Sequence, residues 1–367
     1  MNANVTVRWL NLAVSDAATR RELLDAVEKV LCHGRIVMGP EVEALEKAIA
    51  EQAGRSFAVA VSSGTSALYL ALRCLDLKPG DEVISPVMSW IATFNAIASA
   101  SGTPVAVDIG DDLNIDLKAI EAAITPKTRA IVVVHYAGLV CDMAPIQEIA
   151  VRHKLDIIED AAHAFSATRN GKPAGSFGRL AAFSMNPMKV FAAYGEAGAI
   201  VGDDESFHER LSVLRYSGMV DREVCHEISL NHKPDTIQAA MMLVTLSRLK
   251  EKIDRRRDIA HYYSCELSSV VTCPAEPQDA RHVFYDYIIQ CDSRNELKAF
   301  LESKGMEVPI HHEILMPDQA PYKDRKSGDF PVARRATERI LSLPCHEAMN
   351  EGEPEMVVAA VREFYGG

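Results

Sequence analysis

The chain has 367 residues, of which 48% are apolar and 25% are charged. That length suffices to bury a large core and favours two or three domains. The formal net charge of -12 argues against nucleic-acid and anionic-membrane partners, because both require a basic face. No run approaches the roughly 20 apolar residues that span a bilayer, and residues 1–14 lack the basic-then-apolar order of a signal peptide.

The eight cysteines are scattered and form no Cys-x-x-Cys pair, which is typical of the reduced thiols of a cytoplasmic protein. A zinc site built from cysteine is therefore not expected. His311 and His312 are adjacent, so they cannot share one helical face as paired metal ligands do. We predict a cytoplasmic protein that binds no metal.

Short apolar runs alternate with helical patterns along the first 200 residues. The runs predict strands at residues 57–61, 82–85, 104–107, 130–134, 155–159, 181–184 and 199–201. Helical patterns follow the first run and recur at 90–101 and 145–153. This alternation indicates an α/β domain with a mostly parallel sheet. Ligands of such sheets gather beyond the carboxyl ends of the strands.

The pattern becomes helical after residue 206. Pro234 fits the first turn of a helix that runs toward Lys252. A further helix carries the run Arg255-Arg256-Arg257, which is typical of a solvated face.

The last third of the chain mixes both kinds of pattern. A strand at 283–290 and helices at 293–304 and 353–364 indicate a smaller α+β domain, and 311–330 has the composition of a loop near a cleft. We predict one domain over residues 1–250, including the N-terminal segment, and a second over residues 251–367.

The segment Ser63-Gly64-Thr65-Ser66 lies between a predicted strand and a predicted helix. Backbone N–H groups at the start of a helix, beside hydroxyl groups, form a cradle for an anion such as phosphate. The alternative is an ordinary helix N-cap, where Ser and Thr are also favoured.

Two further segments carry ionisable groups at strand ends. Glu159 and Asp160 end an apolar run, and a buried carboxylate at that tip needs a cationic partner; the alternative is an Asp that caps a helix. Lys189 follows the run 181–184 after a turn that contains Pro187. Burial and nearby cations would favour a neutral, reactive amine there, whereas the alternative is a solvated lysine.

In their order and spacing these segments resemble the pyridoxal-phosphate (PLP) dependent sugar aminotransferases of the DegT/DnrJ/EryC1/StrS family, which have fold-type I. The similarity extends over nearly the whole chain, and residues 86–91 and the segment through His163 are especially similar to the members that make aminoarabinose. The segments that carry it are 33–34, 38–42, 63–68, 79–83, 103–105, 123–128, 134–138, 159–163, 175–178, 183–189 and 341–344.

The resemblance implies a large PLP-binding α/β domain, with a mostly parallel seven-stranded sheet between helices, and a smaller C-terminal α+β domain. Lys189 would form the Schiff base with PLP and then move a proton between substrate and cofactor. Asp160 would pair with the pyridinium nitrogen. His163 would contact the ring oxygen, and Trp90 would lie over the pyridine face.

By the same resemblance the cofactor phosphate would be held by Gly64, Thr65, Ser66 and Ser184. Asn231 would reach the phosphate of the neighbouring subunit's cofactor. The smallest active unit would then be a homodimer.

The implied reaction is ping-pong transfer of an amino group from glutamate to a keto sugar, with a nucleotide-linked 4-keto sugar as the expected acceptor. The chain has Asn231-His232-Lys233 where the family usually has Asn-Tyr-Arg, and it also departs at 215–218 and 310–313. A nucleotide-free keto sugar, a sugar acid or a cyclitol is therefore an alternative acceptor. Alternatives of other classes are a non-catalytic PLP-binding regulatory protein and a cofactor-free α/β binding protein.

Overall fold

A computed structural model describes residues 5–221, 223–323 and 328–366, so residues 1–4 and residues 324–327 of the predicted loop lie outside the described residues. Within them, no helix is long and apolar enough to cross a membrane. The strands are β1 Phe57–Val61, β2 Glu82–Pro86, β3 Thr103–Val107, β4 Thr128–Val134, β5 Asp156–Asp160, β6 Thr168–Arg169, β7 Lys172–Pro173, β8 Leu180–Ser184, β9 Gly198–Gly202, β10 Met219–Val220, β11 Val224–Cys225, β12 Ala280–Arg281, β13 Tyr287–Gln290 and β14 Ile340–Leu343. The α-helices are α1 Ala17–His33, α2 Pro40–Ala53, α3 Gly64–Arg73, α4 Ala92–Ser99, α5 Leu117–Ala123, α6 Met143–His153, α7 Glu205–Arg215, α8 Thr236–Leu246, α9 Leu249–Leu267, α10 Arg294–Ser303, α11 Pro331–Arg339 and α12 Glu353–Phe364.

Seven strands form the central sheet in the order β1-β9-β8-β5-β4-β2-β3. The pairings β2–β3, β2–β4, β4–β5 and β5–β8 are parallel. Strand β9 runs antiparallel to both of its neighbours, β1 and β8. The mostly parallel seven-stranded sheet predicted from the sequence is thereby confirmed.

The central sheet is buried on both faces. In β1, Ala58 and Ala60 pack into one hydrophobic core, while Phe57, Val59 and Val61 pack into another, because side chains alternate along a strand. Helices α2, α6 and α8 cover the first core, and α3, α4 and α7 cover the second. This double cover explains the continuous apolar run of β4.

The single helix predicted from Pro234 toward Lys252 is wrong, because α8 ends at Leu246 and a separate helix, α9, begins at Leu249. Hydroxyl groups at the break bond back to the preceding turn: Thr245 to the carbonyl of Met242, and Ser247 to that of Val244. Such bonds compete with the helical backbone pattern.

A third hydrophobic core lies in the C-terminal part of the chain, around the antiparallel pair β13–β14. Helix α9 reaches two cores: Leu249 and Ile253 pack into the first, whereas Ile259, Tyr263 and Leu267 pack into the third. The helix thus joins the central sheet to the C-terminal part. A division of the chain at residue 250 stays a prediction.

The predicted solvated face at 255–257 is wrong for its middle residue. Arg256 is only 2% exposed, and its Nε lies 2.8 Å from a carboxylate oxygen of Glu347. Its Nη1 also lies 3.3 Å from the carbonyl oxygen of Cys345. Arg256 therefore ties α9 to the segment after β14.

The N-terminal segment packs against this same C-terminal part. Val7 is buried in the third core and forms an isolated parallel bridge with Met306. The backbone N–H of Trp9 donates to the Glu307 carboxylate at 3.2 Å. The side-chain ring of Trp9 meets the His311 ring edge-on, with 4.6 Å between the ring centroids.

Candidate active site

A cavity of about 470 Å³ opens at the carboxyl edge of the central sheet. Val134, Asp160 and Ser184 line it, and they are the last residues of β4, β5 and β8, which are neighbours in the sheet. This is the expected ligand position for a mostly parallel sheet. The predicted site residues that line the cavity are Gly64, Thr65, Trp90, Asp160, His163, Ser184 and Lys189.

The start of α3 forms one part of the cavity wall. The Ser63 side chain caps the helix by accepting the N–H of Ser66 at 3.1 Å, and other N–H groups of the first turn have no acceptor inside the helix. A Cβ at Gly64 would lie 2.4 Å from the Ser184 Cβ, so only glycine permits this approach. Together the two segments present N–H and hydroxyl groups at the positive end of a helix dipole, which suits a phosphate.

Asp160 is buried at the tip of β5, and both of its carboxylate oxygens are held. Thr93 Oγ1 donates to Oδ2 at 2.9 Å, and the Ala162 N–H donates to Oδ1 at 3.2 Å. Burial raises the pKa of Asp160, while these two hydrogen bonds and the nearby Lys189 oppose the rise. A carboxylate held in this way can stabilise a cationic group of a ligand.

Glu159 directly precedes Asp160 but faces the opposite side of the sheet, as alternation along a strand requires. Its carboxylate accepts N–H groups of the 175–178 loop and lies 2.9 Å from Nε2 of His135. Burial works against the charged carboxylate, but these donors lower the pKa of Glu159. Glu159 therefore anchors β5 and the loop, and Asp160 faces the cavity.

Lys189 lies in the turn after β8, with its Nζ 4.2 Å from the centre of the Tyr285 ring. Burial lowers the pKa of its amine to about 8. Three carboxylates oppose this shift, those of Asp160, Asp286 and Glu196. An amine with this pKa is neutral in an appreciable fraction of molecules near neutral pH, so it can act as a nucleophile or a base.

The ring of His163 stacks on Tyr285, with 4.3 Å between centroids. Burial, and after it the positive charge of Lys189, holds the pKa of His163 well below its usual range, so the imidazole is neutral. Its Nδ1 is buried and has no hydrogen-bond partner among the described residues. A polar atom of a ligand can satisfy this nitrogen, and the predicted contact with a cofactor oxygen stays a prediction.

Another part of the wall joins the end of β4 to the loop after α10. Tyr136 Oη lies 2.7 Å from His312 Nδ1, and His311 Nδ1 lies 2.8 Å from the Asp286 carboxylate. Burial raises the pKa of Tyr136, whereas burial and the adjacent His311 lower the pKa of His312 to about 4. The Tyr136 hydroxyl therefore shares a hydrogen bond with a neutral imidazole.

Two predicted site residues, Ser66 and Asn231, are not among the described residues that line the cavity. The Ser66 hydroxyl faces His232, with 2.9 Å between Oγ and Nδ1. Asn231 is exposed, and its side-chain oxygen accepts the N–H of Lys233. Trp90 does line the cavity, but 63% of its surface is exposed.

The sequence-based list of site residues missed Thr93, Tyr136, Tyr285 and Asp286, which all line the cavity. Thr93 lies in the predicted helix 90–101, next to the carboxyl edge of the sheet, so its position was an available signal. Tyr285 and Asp286 come from the C-terminal part of the chain, and no local pattern links them to the strand ends.

Comparison with known proteins identifies relatives over the whole length. A model of the DegT/DnrJ/EryC1/StrS aminotransferase family matches residues 17–362. The chain is 34% identical to the pleiotropic regulatory protein of Geobacillus stearothermophilus, over 98% of this chain and 99% of that one. It is also 34% identical to the UDP-N-acetyl-3-dehydro-α-D-glucosamine 3-aminotransferase of Acidithiobacillus ferrooxidans, over 100% of each chain.

Solved structures agree with the fold described above. A DegT/DnrJ/EryC1/StrS aminotransferase from Brucella abortus superposes with a TM-score of 0.95 at 32% identity, over 98% of this chain and 99% of that one. NtdA from Bacillus subtilis, solved with its bound cofactor PMP, has a TM-score of 0.90 at 30% identity, over 96% of this chain and 83% of that one. The chain thus belongs to the DegT/DnrJ/EryC1/StrS aminotransferase family.

Proposed function

We propose that this aminotransferase moves an amino group from glutamate to a keto sugar linked to a nucleotide, with PLP as its cofactor. The observation that carries the proposal is the presence in one cavity of Lys189, whose pKa is lowered to about 8, and the buried carboxylate of Asp160. The sugar aminotransferase of A. ferrooxidans, similar over the full chain, supports the acceptor class.

The cavity fits PLP in three respects. The start of α3, packed against Ser184 without room for a Cβ at Gly64, suits a phosphate. Asp160 is a fixed carboxylate that suits a protonated ring nitrogen. The unsatisfied Nδ1 of His163 suits a ring oxygen.

When bound, PLP supplies a ring that withdraws electrons from the carbon that loses its proton. The chain supplies the groups that bind and the groups that move protons. Gly64, Thr65 and Ser184 hold the phosphate, and Asp160 keeps the ring nitrogen protonated. The Lys189 amine would first act as the nucleophile toward the cofactor and would then carry a proton from the substrate carbon to the cofactor carbon.

The proposed active unit is a homodimer. Ile228 and Leu230, two positions apart in the chain, are 87% and 67% exposed, and neighbouring exposed apolar side chains of this size are typical of a surface that another chain covers. Asn231 follows directly after Leu230 and does not line the cavity of its own chain. In the dimer it would reach the cofactor phosphate of the neighbouring subunit.

The proposal is tested by following the two half-reactions separately. Protein saturated with PLP is treated with glutamate, freed of small molecules and offered keto sugars with and without a nucleotide. We expect a visible absorbance band with PLP, its loss after glutamate and its return with the correct acceptor. Sugars with the keto group at carbon 3, as in the name of the A. ferrooxidans relative, and at carbon 4 are compared.

The Lys189→Ala variant should fold but lose the band and the transfer, while Lys172→Ala, at an exposed position, should behave as the wild type. A band that glutamate leaves unchanged would contradict transfer and favour a regulatory protein. Absence of any band would contradict PLP binding.

A further inference from the structure

A short series of hydroxyl groups stands behind the Asp160 carboxylate. Ser89 Oγ lies 3.1 Å from Thr93 Oγ1, which in turn lies 2.9 Å from Asp160 Oδ2. Ser89 and Thr93 are 5% and 1% exposed. Thr93 lies in the first turn of α4 and Ser89 lies just before this helix, whereas Asp160 ends β5, so the series links two elements across the cavity wall.

The direction of each hydrogen bond follows from the number of protons. The Thr93 hydroxyl has one proton, and a carboxylate can only accept, so Thr93 donates to Asp160. Its lone pairs then accept the proton of Ser89. The Ala162 N–H holds the other carboxylate oxygen at 3.2 Å, and Asp160 cannot rotate without breaking one of these bonds.

We propose that Thr93, supported by Ser89, is a positioning residue that keeps Asp160 ionised and oriented, and thereby sets how strongly the cofactor ring withdraws electrons. This inference rests on the proposed function, because it assigns a role toward bound PLP. It goes beyond that function because it assigns control of the ring's electron-withdrawing strength to Thr93, a residue that acts through Asp160 and not directly on the reacting carbon.

The physical reason is the cost of a buried charge. Burial raises the pKa of Asp160, and the Thr93 hydrogen bond is the largest influence in the opposite direction. Without that donor the carboxylate is a weaker partner for a protonated ring nitrogen. A ring with less positive charge withdraws fewer electrons from the nitrogen contributed by Lys189, so that nitrogen becomes more basic.

Other charged and titratable groups surround Asp160, and two of them, Lys189 and His135, act on its pKa. Lys189 lies in the turn after β8, and His135 follows β4. His163 lies three residues after Asp160, and Glu159 lies on the opposite face of β5. All four are unchanged in a Thr93 variant, so a shift in that variant reports the loss of the hydroxyl.

The experiment measures the visible band of PLP-bound protein as a function of pH. Thr93→Val removes the hydroxyl but keeps the shape, and we expect the pH midpoint of the band to rise by about one unit, since a hydrogen bond to a charged group corresponds to roughly one to two pKa units. Thr93→Ser should restore the wild-type midpoint. Ser89→Ala should raise the midpoint by a smaller amount, and Asp160→Asn should give the largest rise.

The matched control is Thr245→Val, which also removes a buried hydroxyl, one that bonds the Met242 carbonyl inside α8, and should leave the midpoint unchanged. Folded Thr93→Val or Ser89→Ala protein with the wild-type midpoint would overturn the proposal. If Thr93→Val does not fold, the Ser89→Ala result decides. A wild-type protein without a visible band would instead contradict the proposed function, so the two failures are distinguishable.

Discussion

At the scale of single residues, burial has opposite consequences for the two central ionisable groups. It lowers the pKa of Lys189 and raises that of Asp160, because a low-dielectric environment disfavours both charges. The lysine is thereby prepared to lose its proton. The aspartate, in contrast, depends on its hydrogen bonds to keep its charge.

The lowered pKa of Lys189 predicts a pH dependence for cofactor capture. The neutral amine is the reactive form, so the rate at which cofactor-free protein captures PLP should rise with pH and level off above a midpoint at about 8. An unperturbed lysine would place this midpoint near the ordinary lysine pKa of 10.5. Stopped-flow absorbance at pH 6–11 measures the rate.

The same shift has a consequence for stability. Between pH 8 and 10.5 the unfolded chain binds more protons at Lys189 than the folded chain does, so the free energy of unfolding of cofactor-free protein should rise with pH in this window. Below pH 8 the Lys189 amine is protonated in both the folded and the unfolded chain, so the full free-energy cost of burying its charge is present. The Lys189→Ala variant should lack this contribution, and an equal rise in the variant would contradict the assignment.

At the scale of elements, the contact between the start of α3 and the end of β8 forms the proposed phosphate site. The contact depends on Gly64, where a Cβ would lie 2.4 Å from the Cβ and 2.8 Å from the Cα of Ser184. Because one of these atoms belongs to the backbone, a change of rotamer cannot relieve the clash.

Gly64→Ala should therefore separate the helix from the strand. We expect the dissociation constant for PLP to rise at least tenfold and the free energy of unfolding to fall by about 1–3 kcal/mol, the usual cost of overpacking. Equilibrium titration and urea unfolding measure the two quantities. Gly328→Ala is the control, because a Cβ there would be 3.4 Å from the Phe330 ring, an ordinary contact; equal effects in both variants would contradict the steric argument.

The elements also show how far sequence reasoning reaches. Each buried strand of the sheet was predictable because an apolar run between turns is a local signal. Asp160 directly follows such a run and Lys189 follows one after a turn, and the resemblance of these segments to a known family made both residues predictable. The break between α8 and α9 was not, because the residues at the break, such as Thr245 and Ser247, whose hydroxyls bond carbonyls of the preceding turn, also occur within continuous helices. The position of Tyr285 beside Lys189 depends on packing between distant parts of the chain, which no window of sequence contains.

At the scale of the whole molecule, α9 and the Arg256–Glu347 pair connect the central sheet with the C-terminal part. Burial disfavours the charged Glu347, but Arg256 and Lys252 hold its pKa at about 2. Arg256 also lies 3.5 Å from the carbonyl of Tyr285, the residue whose ring contacts Lys189. The pair therefore supports the cavity wall from outside.

Arg256→Met should lower the free energy of unfolding by roughly 2 kcal/mol, because Glu347 would keep only Lys252, at 3.6 Å, as a cationic partner, and the contact of Arg256 with the Cys345 carbonyl would be lost. Urea unfolding measures this change. Lys298→Met, which breaks the exposed pair with Glu302 on α10, is the control and should cost less than about 0.5 kcal/mol. An Arg256 variant as stable as this control would contradict the structural role of the pair.

The packing of Val7 and Trp9 has a consequence for synthesis of the chain. Trp9 and its partner Glu307 are 298 positions apart, so Trp9 is synthesised long before the residue that accepts its hydrogen bond. At about 5–20 residues synthesised per second, roughly 15–60 s separate the synthesis of Trp9 from that of Glu307. During that time the apolar side chains of the segment that contains Val7 and Trp9 stay exposed to water and chaperones. This part of the third core can therefore pack only after its distant partners have been synthesised.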